Sequence, residues 1–203
     1  MPKRVLEFEI ILSRAMIFAL RHAPEAWGIV LDGQGWTDVG NLIETIGLAD
    51  SRLAFVRNRD LRQLARKQSS RFELQGTKIR ALYGHSVSID CGADEPPPEY
   101  LLHMTTSTAW ASILREGLTP QRRLFVHLTT SRSYASLIGE KSKSDCLMVV
   151  VAAARAHMHG QRFWRANESI WLTERLSQEY LHLDLKSAEN LGSHASGLLS
   201  NQQ

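Results

Sequence analysis

The sequence predicts an α+β protein in two lobes, on the strength of three observations. Helical apolar spacing recurs three times before residue 68 and then gives way to two short strand-like runs around a glycine. Pro96-Pro97-Pro98, set among acidic residues, reads as a stiff polyproline connector. Beyond it, short apolar runs alternate with short helical patterns, as expected of a mixed sheet with helices. The expected organisation is a first lobe at 1–92, a linker at 93–99, a second lobe at 100–186 and a small, polar, frayed tail at 187–203.

In the first lobe, Leu12, Met16, Ala19 and Leu20 fall at helical spacing within Leu6–Ala23. Pro24 ends that helix, because its ring disfavours helical geometry in the residue before it. Arg21 and His22 therefore occupy the last turn, where a cation offsets the negative end of the helix dipole. Gly28–Leu31 is a short extended run, and Asp32-Gly33 is turn chemistry. Thr37 is expected to cap a helix carrying Val39, Leu42, Ile43 and Ile46, with Gly47 as its stop. A third helix is expected over Ser51–Lys67, with Arg52, Arg57, Arg59, Arg62 and Arg66 around it. Those arginines form either a solvated face or a track for a phosphate backbone. Strands are expected at Arg71–Leu74 and Lys78–Leu82, joined by Gln75-Gly76-Thr77; three helices and then a hairpin is the order of a winged helix. Gly84-His85-Ser86 follows, a composition that can shape a phosphate nest.

In the second lobe, Leu101–Leu102 and Leu124–Leu128 read as strands, carrying His103 and His127. A helix over Ala109–Leu114 bridges them and stops at Gly117. Two strands so bridged bring their polar residues to one cleft, and the alternative for each histidine is an ordinary half-buried strand position. Thr105 and Thr106 offer hydroxyls to a ribose or pyrophosphate, and Arg122 and Arg123 offer planar forks to a phosphate. A helix follows at Ser131–Ile138. The valine-rich run Cys146–Ala153 is expected as one buried central strand, with further strands at Phe163–Trp164, Ile170–Thr173 and Tyr180–Leu185.

Composition narrows the function classes. The chain has 203 residues and a net charge of +3, with arginine outnumbering lysine about three to one. That balance favours bidentate phosphate contacts and allows a nucleic-acid partner. Cys91 and Cys146 form neither a metal-binding pattern nor a disulfide framework, and no metal-ligand cluster is visible. The apolar start is broken by Glu7, Glu9, Ser13 and Arg14, unlike a signal peptide, and no apolar run approaches the ~20 residues of a membrane span. A soluble, cytoplasmic, monomeric protein without metal is expected.

With these residues in view, the chain resembles the RNA 2′-phosphotransferases, NAD-dependent enzymes that remove a 2′-phosphate left at a tRNA splice junction. The resemblance spans about Leu12–Leu181. It is carried by LRH at Leu20–His22, GIVLDGQGW at Gly28–Trp36, RFEL at Arg71–Leu74 and TKIRALYGHS at Thr77–Ser86. It continues through PPPEYLLH up to His103, ILREGLTPQRR at Ile113–Arg123, VHLTT at Val126–Thr130 and IWLT at Ile170–Thr173. The resemblance implies a winged-helix lobe joined to an ADP-ribosyltransferase-like lobe. It implies phosphate handling by Arg21, His22, Arg71 and Arg123, with Arg80, His85 and Ser86 as further candidates for the substrate phosphate or RNA. His103, Thr105, Thr106, His127 and Ile170 are the implied NAD contacts, NAD being a co-substrate. Three departures stand out: Met104 within His103-Met104-Thr105 where the family usually has a glycine, Phe125 in place of a common histidine, and Asn167-Glu168-Ser169 before the IWLT motif. Two alternatives remain open: an ADP-ribosyltransferase acting on nucleic-acid phosphate ends, and a non-catalytic winged-helix module that binds nucleic acid. Glu168 keeps the first in view, lying two residues before Ile170, where protein-modifying relatives of that fold place a glutamate.

Overall fold

The computed structural model describes residues 3–141 and 146–184, without the side chains of 3, 4, 140 and 141. Among the described residues the protein is α+β, with six α-helices and two antiparallel sheets. It groups into two compact units, one holding residues up to Gly92 together with Arg122–Leu124, the other holding the rest. The expected tail at 187–203 and the end of the last expected strand, Leu185, lie outside the described residues.

In the first unit, α1 (Lys3–Arg21) buries Leu12, Met16, Ala19 and Leu20 against the core. Its end is tightened by His22 and Ala23, whose backbone N–H groups both donate to the Phe18 carbonyl, at 3.0 and 3.1 Å. Strand β1 (Thr37–Asp38) leads into α2 (Val39–Ala49). The cap is Asp38 rather than Thr37: its carboxylate accepts from the N–H groups of Gly40 and Asn41 at 2.7 and 3.3 Å, while Thr37 pairs with Ile79 in the sheet. Nor does Gly47 stop the helix, which continues to Ala49.

The single helix expected over Ser51–Lys67 is two pieces, a 3-10 turn at Ser51–Leu53 and α3 (Asn58–Lys67). Local carboxylates supply the reason. Asp50 accepts from the Arg52 N–H at 3.0 Å, and Asp60 reaches back to the Arg57 N–H at 3.0 Å, so the second helix starts afresh. Strands β2 (Phe72–Gln75) and β3 (Lys78–Ala81) complete a sheet in the order β1-β3-β2. Leu42, Ile46, Leu53, Leu61, Phe72 and Ile79 fill the space between helices and sheet. Such side chains contribute roughly 1.5–3 kcal/mol each when fully buried.

The second unit begins with β4 (Leu101–Thr106), α4 (Ser107–Glu116), β5 (Val126–Thr129) and α5 (Arg132–Lys141). It continues with β6 (Cys146–Val151), α6 (Ala153–Met158), β7 (Phe163–Arg165), β8 (Ile170–Thr173) and β9 (Leu181–Leu183). The sheet order is β7-β8-β5-β4-β6-β9, and every neighbouring pair is antiparallel. This corrects the expected mixed sheet. A helix between two strands suggests a parallel crossover, but here α4 is followed by nine residues, 117–125, that hold an isolated bridge of Leu118 to Leu176 and then turns and bends. A connection of helix plus irregular chain leaves either direction open to the next strand, and β5 enters antiparallel to β4. The valine run is likewise shorter than expected: β6 ends at Val151 and α6 begins at Ala153. Trp110, Leu128, Leu147, Val149 and Phe163 form the core of this unit.

Candidate active site

The end of α1 delivers Arg21 and His22 in opposite senses. Arg21 is 7% exposed, and His22 faces solvent. The Arg21 guanidinium lies over the Tyr83 ring, 4.9 Å from its centroid. It also lies against Gly84, whose φ of +87° disfavours any side chain; a Cβ there would stand 3.1 Å from Arg21 Nη1. Ser86 ties the two segments together. Its N–H donates to the Arg21 carbonyl at 2.9 Å, and its Oγ lies 3.3 Å from the same carbonyl and 3.1 Å from His22 Nδ1. With the Ser86 hydroxyl donating to the carbonyl, His22 Nδ1–H donates to Ser86, and in that tautomer the neutral ring carries its lone pair on Nε2. The His22 pKa is held below its ordinary value by partial burial first, then by the positive charges of Arg21 and Arg123. Arg123 reaches this group because the Leu124 N–H donates to the His85 carbonyl at 3.1 Å, anchoring Arg122–Leu124 in the first unit.

His85 is 3% exposed, and its Nε2 is buried without a hydrogen-bond partner. Its pKa is pushed down to about 4, by burial above all and then by Arg21, His22 and Arg80. It is therefore a neutral ring among cations. Arg80 lies 4.7 Å over the Trp36 ring and pairs with Glu73 at 2.7 Å. Arg71 stands apart from the His22 group. Its Nη1 reaches Gln68 Oε1 at 3.5 Å, and Gln68 also accepts from the buried Ser13 hydroxyl at 2.9 Å. The structure thus brings together Arg21, His22, His85, Ser86 and Arg123, with Arg80 beside His85, and leaves Arg71 outside this contact set.

In the second unit, His103 and Thr105 on β4 line a pocket of about 160 Å³ with Ser112 and Glu116 of α4 and with Thr119 and Gln121 beyond it. His103 Nδ1 donates to the His127 carbonyl at 2.9 Å, bridging β4 and β5 where their ladder has only the Leu102–Thr129 pair. Burial lowers the His103 pKa while that bond raises it, and burial prevails; Nε2 then carries the lone pair. The other expected NAD contacts are placed differently. Thr106 caps α4, accepting from the Ala109 N–H at 3.2 Å. His127 supplies its backbone carbonyl to His103. Ile170 is buried in β8 opposite Thr129. Sequence reasoning missed Ser112 and Glu116, although Ala109, Ser112 and Glu116 follow helical spacing and share one face of α4.

The three departures find local roles. Met104 alternates away from His103 and Thr105, and its Cε lies 2.8 Å from where a Cβ on Gly139 would stand, so its bulk packs against α5 rather than into the pocket. Phe125 packs against Trp164, ring centroids 5.1 Å apart. Asn167 Oδ1 accepts from the N–H groups of Ser169 and Ile170 at 2.9 and 2.8 Å, ordering the entry to β8, and Glu168 is exposed.

Guanidinium groups beside a solvent-facing histidine suit an anionic oxygen ligand such as a phosphate, with the arginines as donors and the ring nitrogen free to take a proton. The class is thus an α+β protein with a cation-flanked histidine site in its first unit and a polar pocket in its second. Sequence comparison narrows it: a profile of the RNA 2′-phosphotransferase, Tpt1 / KptA family matches residues 7–175. A probable RNA 2′-phosphotransferase of Agrobacterium fabrum is 38% identical over 183 residues, 88% of this chain and 96% of that protein. One from Acetivibrio thermocellus is 33% identical over 175 residues, 85% of this chain and 96% of its own. One from Escherichia coli K12 is 34% identical over 171 residues, 83% and 92% respectively. The chain belongs to the RNA 2′-phosphotransferase family.

Proposed function

We propose that this protein removes an internal RNA 2′-phosphate, of the kind left at a tRNA splice junction, with NAD as co-substrate. The observation that carries the reading is the His22–Ser86 pair between Arg21 and Arg123, in a chain of this family. We read the first unit as a winged-helix lobe, supported by its order α1-β1-α2-α3-β2-β3 and its sheet order β1-β3-β2. The second we read as an ADP-ribosyltransferase-like lobe. Its pocket fits part of a dinucleotide: His103 Nε2, Thr105, Ser112 and Glu116 offer acceptors and hydroxyls to ribose hydroxyl groups.

In the reaction, the RNA 2′-phosphate attacks the nicotinamide ribose and expels neutral nicotinamide, leaving ADP-ribosylated 2′-phospho-RNA. The ribose 2″-hydroxyl then attacks phosphorus; the bond to the RNA 2′-oxygen breaks, and the proton lost from the 2″-hydroxyl is balanced by one gained at the 2′-oxygen. The products are 2′-OH RNA and ADP-ribose 1″,2″-cyclic phosphate. Arg21 and Arg123 hold the phosphate oxygens as charge collects on them. In this reading His22 moves the proton, a role typically worth ~10²–10⁴ in rate.

Mass spectrometry after mixing NAD with a 2′-phosphorylated oligonucleotide tests this. Equal amounts of nicotinamide, cyclic phosphate and 2′-OH RNA are expected. Inorganic phosphate released without NAD, or ADP-ribosylated RNA as the end product, would overturn it.

A further inference from the structure

We propose that Phe55 with Arg57, Arg59, Arg62 and Arg66 forms a second RNA contact, one that holds a single strand by base stacking and phosphate pairing. It rests on the reading above in taking RNA as the occupant. Phe55 sits in the break between the 3-10 turn and α3 and is 92% exposed, and Leu48 beside that turn is 84% exposed. A lone exposed apolar residue is ordinary. Here Phe55 precedes Arg57, Arg59, Arg62 and Arg66 by two to eleven residues. Asp50–Lys67 holds six basic and two acidic residues, a net +4, more than the +3 of the whole chain. The positive charge of the protein is therefore concentrated in this segment.

Pairing within the segment leaves much of that charge available. Arg52 is bound by Asp50 at 2.6 Å and Lys67 by Glu9 at 2.6 Å. Arg59 has only a 3.5 Å contact to Asp60, and its side chain is 75% exposed. Arg62 donates to Asn58, and among the described residues neither it, Arg57 nor Arg66 is in an ion pair. On α3, Arg59, Arg62 and Arg66 fall at spacings that put them on one stripe, opposite the buried Leu61, Leu64 and Ala65. The stripe is about 10 Å long. Arginine forks grip phosphates, and an exposed ring stacks on any base, which is how single strands are held without sequence preference. Two apolar side chains are too few for a protein docking patch, and the charge favours a polyanion.

The test is fluorescence anisotropy with a labelled single-stranded RNA of about twelve nucleotides carrying no 2′-phosphate. Phe55→Ala should weaken binding about five- to hundredfold, and Phe55→Tyr should restore it. The triple variant Arg59→Gln, Arg62→Gln, Arg66→Gln should reduce the log–log salt slope by about 2. Because Phe55 is exposed, Phe55→Ala should leave the melting temperature unchanged, as well as turnover of a 2′-phosphorylated dinucleotide. Wild-type affinity and salt slope in both the alanine and triple variants would overturn the proposal. If wild-type protein fails to process the dinucleotide while the oligomer results hold, the catalytic reading alone fails and this surface stands.

Discussion

Burial of His85 beside Arg21, His22 and Arg80 pushes its pKa down to about 4, against about 6.5 in an unfolded chain. As pH falls from 6.5 towards 4, the unfolded chain binds a proton that the folded protein refuses, so stability is full above the window and lost through it. His85→Gln should abolish that share. Between pH 7 and pH 5, denaturant unfolding should show wild type losing about 2 kcal/mol more than the variant; equal losses would contradict the assignment. Gly84→Ala tests the neighbouring geometry. With φ at +87° and Arg21 Nη1 3.1 Å from the new methyl, it should cost more than about 1 kcal/mol and displace the guanidinium, lowering turnover along with melting temperature. Gly84-His85-Ser86 offers His85 as a candidate phosphate residue, but its burial was not legible there: its polar neighbours give no sign that the Gly35 turn lies against its Nε2 with Arg21 and Arg80 nearby.

Helix α4 concentrates what local patterning reveals and what it hides. Its existence and its stop at Gly117 were readable from apolar spacing. The cap was not, because Thr106 lay in a hydroxyl-rich run that also suited a ribose. Since Thr106 accepts from the Ala109 N–H, Thr106→Ala should cost about 1 kcal/mol, or roughly 2–4 °C of melting temperature. It should spare NAD affinity, whereas His103→Ala should weaken it; calorimetry separates the two. At the other end, a Cβ on Gly117 would stand 2.0 Å from the Leu176 carbonyl oxygen. Gly117→Ala should therefore destabilise far more than Thr106→Ala, as thermal melting would show. Elsewhere, Asp50 and Asp60 broke the helix expected over Ser51–Lys67 through side-chain contacts that apolar periodicity does not register. Helix α6 was hidden because its alanines directly follow a valine run, and an unbroken apolar stretch has no period to separate strand from helix.

Across the whole molecule, chain order and spatial grouping disagree at one decisive place. Arg122–Leu124 follows the proline connector by more than twenty residues, yet it belongs with the first unit, anchored by the Leu124–His85 backbone bond. The arginine pair itself was legible as phosphate chemistry; its partners were not, because a contact across such a separation has no signature in local spacing. The antiparallel course of β4 and β5 was hidden for the same reason. If Arg21 and His22 flank a bound phosphate as proposed, they should matter most when charge gathers on its oxygens. A charged hydrogen bond there is worth about 1.5–3 kcal/mol, whereas expulsion of neutral nicotinamide needs less of it. Single-turnover reactions of radiolabelled 2′-phosphorylated RNA with NAD, resolved on a gel for wild type, Arg21→Ala and His22→Ala, test this directly. Both variants should still release nicotinamide and accumulate RNA bearing ADP-ribose on its 2′-phosphate, with that species scarce in wild type. Equal loss of nicotinamide release and 2′-OH product, with no intermediate at any time, would contradict it.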